Sequence, residues 1–156
     1  MAKTKQNQKG FTLIELLVVM GILAVLLAAV LIAINPDRQF KQARDSQRRS
    51  DVLTILNAVQ QNIADNKGTF SGAALGAVKT IAKSTPPAAG EIDICGAISP
   101  VYTSMLPSDP NSSNPNGVVD CTADYNTEYT ISQTGGRITV AASAETAGVD
   151  PISVTR

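Results

Sequence analysis

The chain has no histidine and no tryptophan, and its aromatic residues amount to three phenylalanines and three tyrosines. Without histidine there is no Ser-His-Asp or Cys-His pair, no imidazole ligand for a metal, and no side chain whose ordinary titration falls near neutrality. With so few rings, no platform for stacking bases can be built. An excess of one charge is missing too. Thirteen Lys and Arg balance thirteen Asp and Glu, and charged residues make up 17% of the chain, so a nucleic-acid binder held by bulk positive charge is not expected. No paired carboxylates, no nucleophile beside a base and no phosphate-cradling loop can be located, which removes catalysis from the expected functions. The 156 residues leave room for one domain and an accessory segment, not for two full cores.

What the chain does have is concentrated at its beginning. Phe11 to Ile34 is a continuous apolar run whose only ionisable side chain is Glu15. As a helix it would be about 36 Å long, enough to cross a hydrocarbon core of about 30 Å. A secretory signal has a shorter apolar core and a small-x-small cleavage site, whereas Ala24, Ala28, Ala29 and Ala33 never fall two apart. The plainest reading is a membrane anchor. Glu15 asks for more, because a carboxylate in an apolar span costs on the order of 3 kcal/mol at the helix centre, less near an end. Either it snorkels to the headgroups or it has a partner.

Ahead of the run lies MAKTKQNQKG, a leader with Lys3, Lys5 and Lys9 and no acid, ending in Gly10 against Phe11. The junction K-G-F-T-L-I-E resembles the class III signal of type IV prepilins and type II secretion pseudopilins. It has the short basic leader, the glycine before the cut, the aromatic first mature residue and a glutamate at the fifth mature position. The resemblance implies that a prepilin peptidase cuts after Gly10 and N-methylates Phe11. It also implies that Glu15 pairs with the terminal ammonium of a neighbouring subunit during assembly. The mature chain would then be a homopolymer subunit of a type IV pilus-like filament, partnered by the peptidase, by an inner-membrane assembly platform and, before assembly, by membrane lipid. A type II secretion pseudopilus subunit is the close alternative, and a membrane-anchored binding module that never polymerises is an alternative of another class. Lysines before the span and Arg38, Lys41, Arg44, Arg48 and Arg49 after it make a positive-inside count ambiguous. The leader and the cysteines place the carboxy-terminal part outside an inner or cytoplasmic membrane, and later in an extracellular or periplasmic filament.

The expected organisation is a leader (1–10), a transmembrane and assembly helix (11–34), an amphipathic continuation (35–67) and a globular head (68–156). Asn35-Pro36 predicts a kink or brief break. Beyond it Val52, Ile55, Leu56, Val59 and Ile63 fall at intervals of three and four and form one apolar stripe. Residues 37–51 are nearly all polar, which predicts that they protrude, with Arg48 and Arg49 on a solvated or intersubunit face. Asn66-Lys67-Gly68 supplies the stop. A long helix, apolar then amphipathic, laid on a small antiparallel sheet is an α+β arrangement similar to the lollipop of pilins.

In the head, residues 69–100 predict a loop with a short helix near Leu75 to Ala82. Tyr125, Thr127, Tyr129 and Ile131 alternate with polar residues, Gly135-Gly136 reads as a turn, and Ile138, Val140, Ala142 and Ala144 alternate again, which predicts a β-hairpin. A third strand would come from Val118 to Cys121 or from Ile152 to Thr155. Cys95 and Cys121, an even pair in an exported head, predict a disulfide, with two free buried thiols as the alternative. Asp109, Asp120 and Asp124 crowd a loop with Asn111, Asn114 and Asn116. Such oxygen ligands suit calcium, and major pseudopilins carry a calcium loop in roughly this region, but the same residues are the usual residues of turns. No other cofactor is expected.

Overall fold

The structure is a computed structural model that describes residues 10–149 and 151–156. The leader up to Lys9 therefore lies outside the described residues. The chain divides into two compact units, one up to Gln39 and one from Phe40 onward. In the first, helix α1 spans Leu13–Ile34 and contains a stretch of 20 residues, Leu13–Ile32, long and apolar enough to cross a membrane. Every side chain of that stretch is exposed. Asn35 then adopts a left-handed conformation, φ 48°. This conformation is uncommon for residues other than glycine, and asparagine tolerates it better than most. Helix α2, Pro36–Asp65, begins on the proline, whose missing N–H is no loss in a first turn. The break expected at Asn35-Pro36 is present.

From Phe40 onward α2 belongs to the same unit as a five-stranded sheet. The strands are β1 (Lys79–Lys83), β2 (Glu91–Ile92), β3 (Tyr125–Thr134), β4 (Arg137–Ala142) and β5 (Ile152–Thr155), in the order β2-β1-β3-β4-β5. All neighbours are antiparallel except β1 and β2. The hairpin follows from its turn. Thr134 pairs with Arg137 across Gly135 and Gly136, whose φ values of 58° and 78° are the two positive angles a two-residue turn of the right twist requires. Tyr125, Thr127, Tyr129 and Ile131 face inward on β3, as do Ile138, Val140 and Ala142 on β4. The α2 stripe of Val52, Ile55, Leu56 and Val59 is fully buried in the same core, and Ile63 packs at its margin. The helix ends where expected, with Lys67 and Gly68 at positive φ and the Gly68 N–H reaching back to the Ile63 carbonyl at 2.8 Å.

Two expectations are corrected, and one choice between alternatives is decided. Leu75 to Ala82 is not a helix: Lys79–Lys83 is strand β1, sandwiched between β2 and β3, with Ile81 fully buried in the hydrophobic core. The third strand comes from the tail, as β5, while Val118 makes only an isolated bridge to Leu106. Residues 37–51 do not simply protrude, since Asp45 and Arg48 are buried.

A short helix, α3 (Cys95–Ile98), carries the fully buried Cys95, which is bonded to Cys121 with the two Cα atoms 5.4 Å apart. The bridge ties α3 to the segment that leads into β3, a region with little secondary structure of its own. Closing a loop of this length is worth about 3–4 kcal/mol through the unfolded chain. We expect Cys95→Ala with Cys121→Ala to lower the Tm of the solubilised chain accordingly. Peptide mapping without reductant should recover the two half-cystines in one linked peptide; two alkylated thiols would contradict the bridge.

Candidate functional site

Two places hold chemistry. The first is the start of α1. Gly10 and Phe11 precede the helix, and Phe11 is 87% exposed. Thr12 is the N-cap, and with Glu15 it forms a reciprocal capping box. The Glu15 N–H donates to Thr12 Oγ1 at 3.3 Å, while Glu15 Oε2 accepts from the Thr12 N–H at 2.8 Å and from the Thr12 hydroxyl at 2.9 Å. Thus the carboxylate neither merely trails toward water nor stands unsatisfied. It closes the first turn of its own helix and leaves Oε1 free of protein donors among the described residues. The spacing Thr12-x-x-Glu15 is the sequence signal for this box, a role for Glu15 not among those expected above.

The second place lies between α2 and two loops. Arg48 is 3% exposed and serves three carboxylates. Its Nε and Nη2 donate to Asp109 at 2.5 and 2.9 Å, Nη1 donates to Asp45 at 2.8 Å, and Nη2 also donates to Glu145 at 2.7 Å. Arg44 forms a second ion pair with Glu145. Asp45 in turn accepts the N–H groups of Glu145 and Thr146, each at 2.9 Å. One buried guanidinium therefore joins α2 to the 109 loop and the 145 loop, which corrects the expectation of a solvated Arg48. Hydrogen bonding to Asp109, above all, holds that guanidinium firmly protonated. Its neighbour Arg49 is exposed, as expected. The missed signal was periodicity: counting back from Val52 by four and then three reaches Arg48 and Asp45, so the buried stripe starts two turns earlier in polar residues.

The three aspartates of the calcium expectation are not gathered. Asp109 holds Arg48, Asp120 accepts the Thr122 N–H and hydroxyl at 2.8 and 2.6 Å, and Asp124 accepts from Thr85. Among the described residues no group of three or more His, Cys, Asp or Glu is arranged to hold a metal ion. The donor set does not fit calcium, because Asp109 would have to abandon a buried cation to join it.

Residues 5–31 match the prokaryotic N-terminal methylation motif, a stretch that contains the Gly10-Phe11 junction, Glu15 and most of α1. The match supports a class III signal like that of type IV pilins and pseudopilins, and with it a pilin-like precursor. No curated protein and no solved structure matches the chain.

Proposed function

We propose that the chain is a membrane-anchored structural precursor that loses its leader at Gly10, is methylated on Phe11 and then polymerises through α1 into a pilus-like filament, with its head outside the membrane. The observation that carries the reading is the coincidence, within the matched residues, of the Gly10-Phe11 junction and a helix that is apolar on every side yet contains Glu15. A helix of that composition needs lipid or other apolar helices around it. A filament core built of such helices supplies them, and an amino-terminal ammonium there calls for a carboxylate nearby.

Processing is tested first. In cells with an active prepilin peptidase, mass spectrometry of the membrane-extracted chain is expected to find a mature terminus at N-methylated Phe11. Gly10→Val should accumulate the full-length precursor, because a β-branched side chain obstructs close approach of the backbone to the peptidase. A leader still attached in the wild-type chain overturns the proposal. Filament isolation then separates a surface fibre from a short secretion-type fibre and from an anchor that never polymerises.

A further inference from the structure

The head presents complementary charges on the two flanks of α2. On one flank, Asp51 sits in a cleft of about 290 Å³ whose other walls include Gln47, Met105 and Asn116, and no basic residue lines it. Asp51 Oδ2 accepts the Tyr129 hydroxyl at 2.8 Å, and Oδ1 has no hydrogen-bond partner among the described residues. Burial raises the pKa of this carboxyl, and the charge of nearby Asp109 adds to the effect. Arg48, three positions back on the same helix, offers little relief, because it is already committed to Asp45, Asp109 and Glu145. Asp51 is therefore a carboxylate that would gain from an outside cation.

On the other flank, Arg49 is exposed at the edge of a second cleft, of about 310 Å³, shared with Gln42, Ser46 and Thr146. It makes no hydrogen bond or ion pair with the described residues. Two residues apart on a helix means about 200° of rotation, so Arg49 and Asp51 look out on opposite sides of the buried stripe. They cannot meet within one chain.

We infer that this head docks on a second copy of itself, head to tail, with Arg49 of one copy entering the Asp51 cleft of the next. The occupant follows from charge complementarity: the cation that the cleft lacks stands unpaired on the opposite flank of the same helix. The geometry also decides the kind of assembly. Because donor and acceptor surfaces differ, the contact is heterologous: each new copy presents a fresh Arg49 and a fresh Asp51, and such contacts run on into open fibres unless the rotation closes a ring. The inference deepens the polymerising role proposed above and rests on it.

The test uses the full-length chain in cells where the wild type yields shearable filaments. Arg49→Glu alters an exposed, unpaired side chain, so membrane levels should hold while filament yield drops about tenfold. Asp51→Asn keeps an oxygen for the Tyr129 hydroxyl and should give a smaller drop. Exchanging the charges, Arg49→Asp with Asp51→Arg, should recover yield to well above either single reversal. Independently, Arg49→Cys with Asn116→Cys should produce a ladder of disulfide-linked dimers, trimers and larger species on non-reducing gels. Wild-type yield from both single variants with no ladder, in cells where Glu15→Leu abolishes filaments, overturns this interface and leaves polymerisation standing. Cross-linking that stops at a dimer overturns it too, since that is the product of a two-fold contact. Absence of filaments from the wild-type chain removes the polymerising role and this inference together.

Discussion

Glu15→Leu is expected to leave the chain inserted, processed and folded but without filaments. The head's core begins well beyond Asn35, so the substitution touches none of it. Leucine in place of a carboxylate makes the span more apolar and easier to insert. What is lost locally is one half of the capping box with Thr12, worth about 1 kcal/mol to the start of the helix. In a filament core the loss is larger. The ammonium at the processed terminus would lie among apolar helices, where a charge without a partner is penalised by several kcal/mol. Glu15→Asp, one methylene shorter, is expected to assemble partially. Sheared filament yield beside a membrane immunoblot reads both results, and wild-type yield from Glu15→Leu would show that the carboxylate serves only its own helix. Glu15→Gln discriminates further: it retains an oxygen to accept from Thr12 but has no charge, so filaments should still fail.

Arg48→Met is expected to give the largest loss of stability in the head. The replacement has similar length and no charge, and it leaves Asp45 and Asp109, 1% and 7% exposed, without their cation. Removing one partner from a buried ionic cluster typically costs about 3–5 kcal/mol, which for a domain of this size lowers Tm by more than about 10 °C. Arg48→Lys should recover only part, since a single ammonium cannot span Asp109 in two-point fashion while also reaching Asp45 and Glu145. A variant with wild-type Tm in the detergent-solubilised chain would refute the assignment.

The same cluster sets an acid limit. Arg44 first, then Arg48, lowers the Glu145 pKa to about 2. Burial alone would raise Asp45, but hydrogen bonds from Thr146, the Glu145 amide and Arg48 outweigh it and hold that carboxyl well below the usual range. Carboxylates with depressed folded-state pKa values contribute stability above their unfolded value of about 4, and the contribution disappears as pH falls through the folded value. Wild-type Tm should therefore fall steeply from about pH 4 toward pH 2. In Arg48→Met, Asp45 and Asp109 have lost their cation and Glu145 keeps only Arg44, so acid relieves the cluster, and the gap between variant and wild type should narrow over the same window.

The amino-terminal pattern was legible because it is local. An uninterrupted apolar run, a glycine-aromatic junction and one carboxylate at a fixed spacing need no tertiary context to be recognised, and the helix they predict forms as read. The hairpin was legible for the same reason, since alternation and a Gly-Gly turn are properties of consecutive residues. Strand β1 was not. KTIAK is too short and too polar for its period to decide between helix and strand, and only the vacant place beside β3 makes it a strand. Arg48 is the sharper case: beside Arg49 in an RR pair, nothing in its immediate neighbours marks one as buried and the other as free.

By itself, the sequence determined the apolar helix, the Gly10-Phe11 junction that falls within the matched motif, the polar break before α2, the apolar stripe and the central hairpin, all of which depend on residues a few positions apart. Only the tertiary structure decided the identity of the first two strands and the partners of Arg48. It also decided the separation of Asp109 from Asp120 and Asp124, and the pairing of Asp51 with Tyr129. Most of those outcomes join residues far apart in the chain, as Arg48 with Asp109 and Glu145 or Asp51 with Tyr129, where the energy of a buried charge or a sheet edge is settled by whatever the rest of the chain brings alongside it.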